Sequence, residues 1–221
     1  MLEKSYNIFI KDLKSELRTR YAINSLVMFI LVAISVILFS IGNEKIQPEL
    51  TAGLYWVVIF FSAMSGLSRA FVSEEERGTT LTLHLIASPD TILSGKILFN
   101  LTLTFFINVI ITFVYAAFFE GFVIKNFILF LVTFIFGNIG LAVSSTIIAS
   151  IIAKAGSKGT LYPVLSFPIL LPLILSCVQL TISCFDGTSF DTHFYELAIV
   201  VSYDVIMITV SYLLFDFIWK E

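Results

Sequence analysis

Apolar residues run along this chain in six long blocks, and the polar residues between them gather in a few short clusters. The blocks cover about residues 24–42, 53–72, 97–119, 127–153, 161–184 and 197–219. Each holds roughly the 20 residues that a helix rising 1.5 Å per residue needs to cross about 30 Å of hydrocarbon. None alternates with the period of two expected of a barrel strand. The pattern predicts an all-α fold: one transmembrane domain over residues 1–221, made of six membrane-spanning helices. Ahead of the first block, Leu2, Tyr6, Phe9, Ile10, Leu13, Leu17 and Tyr21 recur at three and four residues, while Lys4, Lys11, Lys14 and Arg18 fall mostly on the other side. That stripe predicts an amphipathic helix over residues 2–21 lying flat in the bilayer interface. It does not read as a secretory signal, because the apolar run starts late and no convincing small-residue cleavage site follows.

Composition agrees with the pattern. The chain is 58% hydrophobic and 13% charged, with a mean hydropathy of +0.98, too apolar for a water-soluble domain. The net charge of -3 says little; the placement of positive residues says more. With the N-terminus inside, Lys4, Lys11, Lys14, Arg18, Arg20, Arg69, Arg77, Lys96, Lys154, Lys158 and Lys220 fall on the inner side, and Lys45 and Lys125 on the outer. The positive-inside rule then puts both termini, the 73–96 insert and the 154–160 loop in the cytoplasm of a multi-pass protein.

The insert, SEEERGTTLTLHLIASPDTILSGK from Ser73 to Lys96, is the most informative polar cluster. Ser73 with Glu76 forms a capping box, and Glu74, Glu75 and Glu76 favour the positive end of the helix it starts. Gly78 lets the chain break. Leu81, Leu83, Leu85 and Ile86 offer an apolar patch, and Ser88 with Pro89 reads as the N-cap and first residue of the next helix. Two readings stand level on these features: a docking surface for a cytosolic partner, and an amphipathic turn resting on the inner leaflet.

Signatures of catalysis are missing. The stretch AKAGSKGTL, from Ala153 to Leu161, lacks phosphate-loop spacing, and there is no H-E-x-x-H, nucleophile elbow or Cys/His cluster. We expect no catalytic residue, no metal site and no directly bound cofactor, with any ATP hydrolysis supplied by another chain. His193, in the last outer loop, is a formal haem-iron ligand, although a lone loop histidine is more often simply solvated; His84 is a weaker candidate. Asp204 lies several residues inside the sixth span. It either lines a pathway or pairs with a neighbour, or else the span starts later and it sits at the outer interface. Cys177 and Cys184 are roughly 10 Å apart on a helix, beyond disulfide reach, and read as small fillers. Gly140 with Ser144, and Ser145 with Ala149 and Ala153, recur every four residues, so one face of the fourth span admits a close neighbour. Pro163, Pro168 and Pro172 predict a kinked fifth span.

At the insert the chain resembles the six-span permeases of ABC-2-type ABC exporters. Their loop after the second span carries an acidic stretch, a Gly-Thr element, a Leu-rich segment and a Ser-Pro before a Gly-Lys. Here these stand as Glu74, Glu75, Glu76, Gly78, Thr79, Leu81, Leu83, Ser88, Pro89, Gly95 and Lys96. With the N-terminal KDLKSELRTRY segment and the overall length, the whole chain is similar to the CcmB family, the haem-exporter permeases of cytochrome c maturation. That resemblance implies a homodimeric permease in a bacterial inner membrane. Its partners would be a cytosolic ATPase, a haem-handling membrane protein, a small membrane protein and a haem chaperone, with no nucleic acid. ATP would bind the ATPase, haem would be the substrate of the complex, and Glu74, Glu75, Glu76, Gly78, Thr79, Leu81, Leu83, Leu85, Ser88 and Pro89 would form the ATPase-coupling loop, with the push taken on Glu74 to Leu85. One departure is Thr79, Thr80, Leu81 and Thr82 where the family commonly has Leu-Glu, which leaves the acid's role to the upstream glutamates or to none. Two alternatives remain: an ABC-2 permease for a lipid, polysaccharide or drug, and a scaffold that transports nothing.

Overall fold

A computed structural model describes residues 2–42, 46–67, 71, 74, 78, 79, 83, 85–154, 161–188 and 193–220. Seven long helices account for nearly all of them: α1 (Leu2–Thr19), α2 (Tyr21–Ile41), α3 (Pro48–Leu67), α4 (Pro89–Phe118), α5 (Phe127–Lys154), α6 (Leu161–Asp186) and α7 (Phe194–Lys220). No strand occurs among the described residues. Helices α2 to α7 are the six long and apolar enough to cross a membrane. Four of them start ahead of the apolar blocks: α2 at Tyr21, α3 at Pro48, α4 at Pro89 and α7 at Phe194. In α4 the reason is local. Ser88 is extended (φ -68°, ψ 155°) and Pro89 takes the first helical position, where its missing N–H costs nothing.

Helix α5 is apolar on every side, as an interior helix should be, and it packs against α3, α4, α6 and α7. Its small residues face neighbours: a Cβ on Gly137 would lie 2.6 Å from the Trp56 ring, and one on Gly140 would lie 2.5 Å from Asp204 Oδ1 and 2.6 Å from Leu173. Side-chain hydrogen bonds stitch the bundle further. Asn108 Nδ2 donates to Asn138 Oδ1 at 2.8 Å, Asn100 Nδ2 to Thr146 at 2.7 Å, and Trp56 Nε1 to Thr181 at 2.8 Å. Each such bond inside a membrane bundle contributes about 0.6 kcal/mol. Helix α6 runs on through Pro168 and Pro172, and Cys177 and Cys184 are free and buried in it. The end of the bundle holding the α4–α5 connection is filled by rings: Tyr115 stacks on Phe119 at 4.4 Å, and Phe122 packs on Tyr55 and Phe185.

Helix α1 has two faces. Ile8 and Asp12 are buried, in a helix that packs chiefly on α4, whereas Leu2, Tyr6 and Leu17 of the apolar stripe stay exposed, as an interfacial helix requires. The turn into α2 passes through Arg20 in the left-handed region (φ 52°). Glu16 of α1 accepts from the Ile23 N–H at 3.0 Å, so α1 itself caps the first span.

Candidate functional site

Ionisable side chains buried in an apolar bundle need partners, because desolvating a lone charge is costly. Lys96, the eighth residue of α4, is only 2% exposed. Its ammonium lies 3.0 Å from Asp12 Oδ2 on α1 and 3.0 Å from Glu74 Oε1 in the insert. Lys11 Nζ reaches the same Glu74 oxygen at 2.5 Å and Asp12 Oδ1 at 3.2 Å. Thr79 donates its hydroxyl to the other oxygen, Glu74 Oε2, at 2.5 Å. Two cations and two carboxylates thus form one knot joining α1, the insert and α4.

The surroundings hold the knot in place. At Gly95, next to Lys96, a Cβ would lie 2.8 Å from Ile8 Cβ and 2.8 Å from the Ser5 carbonyl oxygen, so only glycine lets α1 cross α4 this closely. Lys4 Nζ reaches the Ile86 carbonyl at 3.4 Å, which pins the start of α1 to the end of the insert. Phe71 places its ring 5.5 Å from Lys96 Nζ and packs on Phe215 and Trp219 of α7, so α7 is drawn in as well. Burial alone would push the Glu74 carboxyl up. The charge of Lys96, then the hydrogen bonds from Lys11 and Thr79, overcome that and hold it at about 2. Lys11 follows the same logic: burial lowers it, but Asp12 and Glu74 raise it above its ordinary value.

The insert residues separate into inward and outward sets. Glu74 is buried among its partners and Leu83 is buried too, so Leu83 is not part of an exposed patch. Leu85, 88% exposed, and Ile86 face outward. Gly78 has φ +64°, the break expected of it, and Thr79 N–H donates to the Glu74 carbonyl at 3.0 Å. Ser88 and Pro89 open α4, with Ser88 Oγ 2.8 Å from Thr91 Oγ1. Ser73, Glu75, Glu76, Leu81 and His84 lie outside the described residues.

The two remaining candidates lie elsewhere. His193 Nδ1 is 3.2 Å from Ser183 Oγ and 3.8 Å from the Glu196 carboxylate, at the far end of the bundle. Among the described residues, no three His, Cys, Asp or Glu side chains gather as a metal site. Asp204 is the eleventh residue of α7 and 3% exposed, because α7 starts at Phe194 rather than later; it is inside the bundle and not at its rim.

Sequence reasoning missed Asp12 altogether and placed Lys11 only on the side of α1 opposite the apolar stripe, without a partner. The signal was present. Ser5, Ile8 and Asp12 share one helical face apart from the apolar stripe, and a lysine eight residues into a spanning helix demands an anion.

Six helices long and apolar enough to cross a membrane, with an amphipathic helix and the charged knot at one end, are the build of a multi-pass membrane protein and fit a component of a membrane transporter. The family model for the CcmB protein matches residues 3–215. The chain belongs to the CcmB family, the membrane permeases of the haem-exporting ABC transporter complex of cytochrome c maturation. No curated protein matches it.

Proposed function

We propose that this permease receives motion from a cytosolic ATPase at the insert and passes it to the membrane helices, so that ATP hydrolysis in the partner drives haem delivery and release of a haem-loaded chaperone. The observation that carries the proposal is the knot around Glu74. A segment whose Glu74 is held by Lys11 of α1 and by Lys96 of α4, which is itself paired with Asp12 of α1, cannot be displaced alone, so a push on it moves both helices together. Leu85 and Ile86, exposed beside the knot, are the apolar contact offered to that ATPase. The excess of positive residues at this end supports a cytoplasmic position for it in a bacterial inner membrane, with both termini on that side.

The free energy comes from nucleotide binding in the partner, and this chain supplies a rigid contact and helices with two packings. Two copies of the chain sit on two ATPase chains, beside the haem-handling membrane protein and the small membrane protein. Haem is the substrate of the complex, and His193, at the opposite end of the bundle beside Ser183, is the contact we propose for it there. Pulling the tagged chain from its native membrane in mild detergent tests this. An ATPase together with a haem-binding membrane protein and haem absorbance supports the reading. An ATPase without haem points to a permease for another cargo, and no ATPase at all points to a scaffold. Charge reversal at Glu75 and Glu76 should also uncouple ATP hydrolysis from haem delivery with the bundle intact.

A further inference from the structure

Among the described residues, the knot accounts for the buried acids Asp12 and Glu74 but leaves a third, Asp204, unused. Asp204 lies roughly 15 Å along α7 from its first residue, well inside a helix of 27 residues. Neither carboxyl oxygen has a hydrogen-bond partner among the described residues. Oδ1 is aimed at Gly140 of α5, and Leu173 of α6 packs against the same glycine, so the site is closed by backbone and hydrocarbon.

The groups that face it cannot neutralise a negative charge. On α6 the neighbour is the Cys177 thiol, and on α7 it is Tyr203. The Tyr203 hydroxyl is already committed, donating to the Ile169 carbonyl at 3.1 Å with Ser144 Oγ 2.8 Å away. Helices α5, α6 and α7 hold two basic residues between them, Lys154 and Lys220, both at the far ends. Glu196 and Asp216 lie about two and three turns away along α7 and carry the wrong sign. On α4 the charged residues are Asp90 and Lys96. Lys96 is bound to Asp12 and Glu74, and Ser94, near both, bonds Tyr212, about two turns beyond Asp204.

A carboxyl group enclosed in this way is satisfied by the smallest ligand there is. We propose that Asp204 is a proton-binding site: it carries a proton while α5, α6 and α7 are packed together, and gives it to water when those helices part. Gly140 is its seat, since any larger residue there would fill the space that the carboxyl occupies. The inference holds whatever the cargo, and whether or not the insert transmits a push.

Infrared spectroscopy of the purified complex in lipid at neutral pH tests it. The expected result is a carbonyl stretch of a protonated carboxylic acid in the unmodified chain that is lost in Asp204→Asn, a variant close in shape and always neutral. If Asp204→Asn does not assemble, Asp204→Glu serves instead, because it should move the band rather than remove it. A spectrum with no protonated-carboxyl band, or a band that neither substitution alters, would overturn the proposal.

Discussion

Lys96 is the residue on which the account turns. It is the shared partner of two carboxylates in a place that water barely reaches. Replacing it by methionine leaves Asp12 and Glu74 buried with only Lys11 between them. Breaking a buried charge network in this way costs about 3–5 kcal/mol. Thermal unfolding in detergent should show that loss, and Lys96→Met combined with Asp12→Leu and Glu74→Met should recover most of it, because apolar residues refill the space and Lys11, whose side chain is 45% exposed, can turn its charge to solvent. The acid side carries a second prediction. The Glu74 value of about 2 lies below its ordinary 4.5, so its stabilisation is complete above that ordinary value and lost as the pH falls toward 2. Lys11 is raised above 10.5, so its share is present below that value and lost only as the pH rises beyond its folded value. Plotting the unfolding midpoint against pH should give a plateau between the two, and Glu74→Gln should flatten the acid limb.

At the scale of elements, the crossing of α1 over α4 depends on a glycine. Gly95→Leu would drive a side chain into Ile8 and the Ser5 carbonyl, and since one of these is backbone, α1 has to lift away. Overpacking of this kind costs about 1–3 kcal/mol. Limited proteolysis should cut between α1 and α2 faster in this variant than in the parent; equal rates would mean that α1 is held mainly by its lipid-facing stripe. The helices themselves were legible, because crossing hydrocarbon imposes a length and an apolar composition that any window along the chain reveals. Their starts were less so. The Pro89 start of α4 was visible in the Ser-Pro pair, yet α3 and α7 begin in segments whose Glu49 and Glu196 mask the helix from an apolar count, although an acid in the first turn favours it. The later start considered for the sixth span, which would have left Asp204 at the rim, fails for this reason.

For the whole molecule, the insert was recognisable as the informative segment, but its internal wiring was not. A run of three glutamates looks alike whether its members face solvent or a buried lysine, and the residues that make the difference, Lys11, Asp12 and Lys96, are 63, 62 and 22 positions from Glu74 in sequence or come from separate helices. Only the fold brings them together. The outcome is a bundle whose charged machinery lies at one end, tied to three helices, with a ring-filled plug at the other. The most direct test of transmission removes the charged link at Glu74 without stranding Lys96, which Glu74→Ala does because Asp12 remains beside it. Haem delivered per ATP hydrolysed should be measured in the assembled complex. The account predicts continued ATP hydrolysis with the ratio lowered by about 5- to 150-fold, the range of a coupling energy of about 1–3 kcal/mol. An unchanged ratio would contradict it.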